Sequence, residues 1–320
     1  MPVELVSIGH ILCETLVFSD GRRAGPVLGG PAAYSTAVAA RLGVPTGIVT
    51  KLGPDAPRDL LQPLSKAGVD LQGVDFRSPV TTTNQLVYAP DGSKELKYLK
   101  QAAPISYQDV AGKYPQASAF HVCPLDYEVS LDTIAQIARL GKVMSVDLGG
   151  YGGAHIRRET AAQKKFSAQA LKDLISFFDI VKGSDEDVRL IFSGEGFSDE
   201  AVALGFLDAG AEVAIITRGA QGSLVFTRSL KCIVPALPGQ VLDVTGGGDS
   251  YMAGFLVEWL RTGDPWKSGV FAAAVALCVI ERTGGVQAER MPSESEVRAR
   301  IPPQLQPQFL PNECRSNLWN

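Results

Sequence analysis

Short apolar runs recur along the whole chain, and most are followed by a segment with helical patterning. "VELVSIG" reads as a buried strand, and "AAYSTAVAARLG" reads as a helix that ends at Gly43 with Arg41 in its last turn. "TGIVTKLG" is strand-like again, and "APRDLLQPLSKAG" reads as a helix closed by Gly68. The pattern continues through "SAFHVCPL", "LDTIAQIARLGK", "VMSVDLGG", "SAQALKDLISFF", "DIVKGS", "DEAVALGFLDAGA", "EVAIITRGAQG" and "SLVFTRS". Such alternation predicts βαβ units, and therefore an α/β fold with a doubly wound, mainly parallel sheet. Ligands of these sheets bind at the carboxyl ends of the strands. The 320 residues, 45% of them hydrophobic, suffice for one large core with at most a small appendage.

Two stretches break the alternation. Residues 10–28 hold two β-like runs around "SDGRR", and residues 79–100 hold two more around Asp91-Gly92. Asp-Gly between strand-like runs signals a hairpin. Both stretches lack a partner helix, so they are expected to form a small β-sheet that projects from the main domain. Beside a strand-end site such a sheet would act as a lid. The main domain is then 1–9, 29–78 and 101–302, the lid 10–28 and 79–100, and the Pro-, Gln- and Asn-rich segment 303–320 a surface tail.

Composition narrows the partners. A net charge of −4 argues against nucleic acid, whose phosphates call for a basic excess. Cys13, Cys123, Cys232, Cys278 and Cys314 show no CxxC spacing and read as reduced thiols. His10, His121 and His155 show no HxxxH spacing, so a zinc site is not expected. The first ten residues do not read as a signal peptide. The longest apolar run, Gly269 to Ile280, is short for a membrane span and reads as a buried helix. A cytoplasmic protein with no membrane partner is the expectation.

The candidate site is "VLDVTGGGDSYMAGF", Val241 to Phe255. Tyr251, Phe255 and Trp259 recur at helical spacing, with Thr245 as the expected cap. Gly246, Gly247 and Gly248 then lie at a helix N-terminus, where amides are unsatisfied and the dipole is positive. Without side chains they can approach an anion closely, such as a phosphoryl group in transfer. Asp249 would be repelled by a ground-state phosphate; a general base that takes a proton from an attacking hydroxyl accounts for it. A P-loop and a GxGxxG after the first strand are both missing from the sequence.

These residues resemble the ribokinase-like, or PfkB, carbohydrate kinases. The segment Asp243-Val244-Thr245-Gly246-Gly247-Gly248-Asp249-Ser250-Tyr251 is similar to the family's D-T-x-G-A-G-D-x-F signature. "GGPAAYSTAVAARLG", Gly29 to Gly43, resembles its N-terminal signature; "KLGPD" resembles its G-x-D stretch, and "ITRGAQGSLVF" its T-x-G-x-x-G segment. The resemblance runs from about residue 3 to 300 and implies the family fold, an α/β domain with a β lid. It implies transfer of the γ-phosphate of ATP, with Mg2+, to a hydroxyl of a sugar, nucleoside or related polyol. It further implies Asp249 as base, the three glycines as anion hole, Gly29 and Gly30 near the substrate, and Thr217, Gly219, Gly222, Thr245 and Gly284 around the nucleotide. A requirement for a monovalent cation stays open, as does a homodimer formed through the lid.

The departures bear on substrate. Glu14 stands where the resemblance implies an Asp for substrate hydroxyls, and Tyr34 where it implies an Asn. Ser184 and Asp187 replace the N-x-x-E pair of the magnesium network while keeping oxygen ligands, with water as an intermediary. Tyr34 together with "SPVTTTNQLVYAPDG" and "KYLKQAAPIS" looks similar to inositol kinases of the family. The expected activity is phosphorylation of a sugar or an inositol-like polyol; the alternatives are a nucleoside kinase or a nucleotide- or polyol-binding sensor with weak catalysis. Asp147, ending "VMSVD", is a substrate candidate by its strand-end position. Arg22, Arg23, Lys97 and Lys100 read as solvated, Cys278 as core and His121 as structural.

Overall fold

The computed structural model describes residues 2–88, 94–157, 166–192, 196–309 and 318–319. The strands are β1 (Leu5–Ile8), β2 (Leu12–Val17), β3 (Arg23–Gly29), β4 (Thr46–Lys51), β5 (Val74–Asp75), β6 (Thr83–Tyr88), β7 (Lys94–Lys100), β8 (Ala119–Val122), β9 (Val143–Asp147), β10 (Ile180–Ser184), β11 (Val213–Thr217), β12 (Ser223–Phe226), β13 (Lys231–Val234) and β14 (Gln308–Phe309). The helices are α1 (Pro31–Arg41), α2 (Gln62–Ala67), α3 (Tyr107–Val110), α4 (Leu131–Ala138), α5 (Ala168–Ile175), α6 (Asp185–Ile191), α7 (Asp199–Asp208), α8 (Gly247–Thr262), α9 (Pro265–Ile280) and α10 (Glu294–Arg300).

A ten-stranded sheet runs in the order β14-β13-β12-β11-β10-β9-β8-β1-β4-β5. It is parallel from β11 to β5 and antiparallel from β11 to β14. Helices cover both faces, so the strands are apolar on both sides and read as continuous runs. The two-residue alternation then divides each strand between two cores. Leu5, Ile180 and Ile215 join α1, α8 and α9 on one face. Val6, Val181 and Ile216 join α4, α5 and α7 on the other.

The second sheet has the order β3-β2-β6-β7. The segments read as two hairpins are fused by a parallel pairing of β2 with β6, which sets Glu14 opposite Asn84. The Asp91-Gly92 turn lies outside the described residues.

Two local readings are corrected, and the C-terminal tail is placed. The helix expected from Ala56 begins only at Gln62, because Pro63 is tolerated in a first turn but not within a helix. Thr245 is not a cap: Gly246 holds the N-cap of α8 at φ 77°, and no side chain caps the helix. The left-handed conformation favours glycine there. The C-terminal segment, expected as a surface tail, is anchored where it is described. β14 pairs with β13, Leu318 is buried, and the Trp319 indole N–H donates to Gly205 O at 2.8 Å.

Cys13, Cys123, Cys232 and Cys278 are buried free thiols. His121 is buried against Ser145, and burial depresses its pKa to about 4. Lys97 is exposed, and Lys100 pairs with Asp55 at 2.8 Å. Arg22 pairs with Asp20 on the surface. Among the described residues no helix is long and apolar enough to cross a membrane.

Candidate active site

The carboxyl ends of β9, β10 and β11 face the N-terminus of α8. Two cavities meet at the glycine turn. One, of about 220 Å³, is apolar: Gly219, Gly222 and Ser223 face Ala276, Leu277 and Ile280 of α9, above Gly247 and Tyr251. Its makeup suits a flat apolar ring. The other, of about 310 Å³, is polar and lined by His155, Lys182, Glu186, Asp187 and Asp249. Thr217, Gly219, Gly247 and Gly248 line both, so the turn is their shared wall.

The amides of the turn are not equivalent. Gly247 N–H donates to Val244 O at 3.1 Å, and Ser250 N–H to Gly246 O at 2.9 Å. Among the described residues the N–H groups of Gly248 and Asp249 have no partner. The amides left open toward the cavities are thus the second and third of α8. Gly246 serves the geometry instead: a Cβ there would lie 2.4 Å from the Tyr34 ring.

Asp249 follows on the first turn of α8. Its carboxylate makes no hydrogen bond or ion pair among the described residues. Burial, with Asp147 and Asp187 nearby, pushes its pKa up to about 6 against the opposing pull of His155 and Lys182. A carboxylate with a pKa near neutrality and open access to a cavity is suited to take a proton.

Lys182 was not anticipated from the sequence. It is a charged residue inside a strand-like run, buried, with its Nζ 2.7 Å from Asp147 Oδ2. A Cβ on Gly248 would meet that Nζ at 3.1 Å, so the ammonium abuts the turn. Burial opposes the charge on each partner, yet their mutual attraction prevails: Asp147 is held low and Lys182 high. Asp147 also accepts from Gly149 N–H. It is buried and holds Lys182.

Ser184 and Asp187 form a capping box on α6. Asp187 Oδ2 accepts from Ser184 N–H and Oγ–H, both at 2.7 Å, and Ser184 Oγ accepts from Asp187 N–H. Asp187 Oδ1 accepts from Ala154 N–H. Both carboxylate oxygens are engaged, so these residues act first as a brace. Among the described residues no group of three or more His, Cys, Asp or Glu could hold a metal by itself. The cavity wall nevertheless carries hard oxygen donors (Glu186, Asp187 and Ser184), which fit magnesium held mainly by phosphate and water.

Toward the small sheet, Glu14 Oε2 accepts from Asn84 Nδ2–H at 2.7 Å. Asn84 Oδ1 is buried and has no partner among the described residues, which leaves an acceptor for a ligand hydroxyl. Gly29 lies beside Glu14, its Cβ position 4.0 Å from Oε1. Gly30, at φ 94°, is the N-cap of α1 and packs on the main chain of residues 10–12. Tyr98, on β7, donates to His155 O at 2.8 Å and so ties the small sheet to the loop over the polar cavity. Tyr34 is buried under Gly246, its hydroxyl accepting from Arg290 Nη1–H at 2.7 Å. It supports the glycine turn. Gly284 does not line the apolar cavity; its carbonyl accepts from Arg290.

The pfkB family carbohydrate kinase model matches residues 4–291. The chain belongs to the PfkB family of carbohydrate kinases. It is therefore a phosphotransferase with a hydroxyl acceptor. The cytidine kinase of Thermococcus kodakarensis is 33% identical over 264 residues, 81% of this chain and 89% of that one. The fructokinase of Rhizobium leguminosarum bv. trifolii is 30% identical over 247 residues, 73% of this chain and 72% of that one. In fold, this PfkB-family chain matches the fructokinase with bound ATP from Xylella fastidiosa at a TM-score of 0.78, with 22% identity over 93% of this chain and 98% of that one.

Proposed function

We propose that this PfkB-family kinase transfers the γ-phosphate of ATP to a hydroxyl on the sugar ring of a nucleoside. The observation that carries the reaction is the unpartnered Asp249 carboxylate, its pKa pushed up to about 6, next to the open amides of Gly248 and Asp249.

The adenine ring enters the apolar slot between Gly222 and Leu277, and the phosphates extend past the glycine turn toward Lys182. Asp249 takes the proton of the acceptor hydroxyl. The new O–P bond forms as the bond from the γ-phosphorus to the bridging oxygen breaks, and that electron pair leaves with ADP. The Gly248 and Asp249 amides and the Lys182 ammonium stabilise the equatorial charge. Magnesium, when bound with the nucleotide, would neutralise phosphate charge from the side of Glu186 and Asp187. The four-stranded sheet serves as a lid whose Tyr98 tether couples closure to the His155 loop, excluding water that would hydrolyse ATP. The outer edges of β3 and β7 are the surfaces through which a lid-mediated dimer would form.

The nucleoside reading is supported by the cytidine kinase relative and by the Glu14–Asn84 pair, whose acceptors and donor suit a vicinal diol. The inositol-like reading leaned on Glu14, a Tyr34 wall and the segments around residues 78–106; the Tyr34 ring lies under Gly246. The sensor reading leaned on Ser184 and Asp187, which together complete a capping box. An ADP-release assay across nucleosides, hexoses and cyclitols tests the proposal. A nucleoside should give the highest kcat/KM; a hexose or cyclitol that exceeds every nucleoside overturns the substrate reading.

A further inference from the structure

The family resemblance leaves a monovalent-cation requirement open, and the structure bears on it through Arg290. Its guanidinium is buried behind the glycine turn, where main-chain carbonyls converge. Nε–H donates to Arg282 O at 3.2 Å, and Nη1–H to Gly284 O and Gly285 O. Nη2–H donates to Thr245 O at 3.0 Å and to Asp243 O at 3.4 Å. The Asp243 carboxylate stands 3.7 Å away. Converging carbonyl oxygens beside a carboxylate are ligands for a monovalent cation. Here the chain supplies the charge, and the guanidinium takes the hydrogen-bonding capacity that a bound ion would need.

The position matters for the reaction. Asp243 and Thr245 lead directly into Gly246, and the same guanidinium holds the Tyr34 hydroxyl at 2.7 Å and lies over the Tyr34 ring. That ring is the surface against which Gly246 turns. One side chain thus braces the turn through its preceding carbonyls and through its floor.

We infer that Arg290 is a built-in cation that replaces a dissociable monovalent ion and positions the Gly248 and Asp249 amides. The inference rests on the kinase reading and makes Arg290 a positioning residue. Turnover then needs no added monovalent cation. A dissociable ion can be exchanged with the solvent, whereas a guanidinium fixed to the chain cannot.

The test compares wild type and Arg290→Ala in potassium, sodium or tetramethylammonium chloride at constant ionic strength, with and without millimolar guanidinium. Wild-type kcat should agree within about twofold across the salts, because no ion is bound. Arg290→Ala should lose roughly 10²-fold in kcat, the scale of a misaligned oxyanion donor. Potassium or guanidinium should restore about tenfold or more, while KM for ATP changes less. A wild-type kcat that falls about tenfold without potassium overturns the inference. So does a variant that loses activity and is restored by none of these cations. If Arg290→Ala does not fold, the wild-type salt series and Arg290→Lys, which keeps the charge and should keep more activity than any neutral replacement, decide alone. Melting temperature separates this from the kinase reading: cations should raise that of Arg290→Ala and leave wild type unchanged, whether or not an acceptor is known.

Discussion

The Lys182 ammonium lies 2.7 Å from the Asp147 carboxylate, and both are buried beneath the glycine turn. Asp147 ends β9 and Lys182 lies in the adjacent β10, paired in register. The sheet itself therefore sets a positive charge against the glycine turn and the polar cavity. Removal of one partner strands the other charge in the interior.

Lys182→Met should destabilise the fold by roughly 3–5 kcal/mol, the cost of leaving Asp147 buried without its partner. It should also lower kcat through the lost phosphate contact. Lys182→Met with Asp147→Asn should regain much of the stability but none of the activity. Denaturant unfolding and steady-state kinetics on both variants separate the two effects.

Gly246→Ala meets two obstacles: a φ of 77° and a Cβ position 2.4 Å from the Tyr34 ring. The turn must shift, taking the amides that follow with it. Activity should fall about 10²-fold or more, the scale of a lost oxyanion donor, and thermal stability should fall as well. Gly248→Ala has no positive φ to accommodate and should lose less stability, as melting curves of the pair would show.

The pH profile follows from Asp249. Its pKa of about 6 lies above the ordinary carboxylate value of 3.8, so the basic form is lost as pH falls through 6. On the acid side kcat/KM should drop about tenfold per pH unit. The sign for stability is the reverse: a raised carboxyl pKa favours the fold below about pH 4, and that contribution is lost as pH rises through 6. Asp249→Asn should therefore be at least as stable as wild type at pH 8. A pH–rate series and melting curves check both signs.

Much of the fold was legible because the parallel strands are buried on both faces and stand out as apolar runs between helices. The glycine turn and Asp249 were legible because they are contiguous. What joins them to the rest was not. Lys182 meets Asp147 across 35 residues, Asn84 meets Glu14 across 70, and Arg290 meets Tyr34 across 256. No local pattern marks such pairs. Lys182 left a faint sign, a charge in a run otherwise fit for burial. Thr245 misled because cap preference favours Thr, whereas the turn needs the left-handed φ of Gly246. The Ser184–Asp187 spacing was read only as part of a metal network; that it also builds the capping box of α6 was not read from the sequence.

The central claim is that Asp249 removes the acceptor proton, and Asp249→Asn tests it most directly. With an acceptor verified on wild type, the variant should bind ATP with unchanged affinity by calorimetry and lose at least about 10²–10⁴-fold in kcat. A variant that binds ATP normally and releases ADP at the wild-type rate would contradict the assignment.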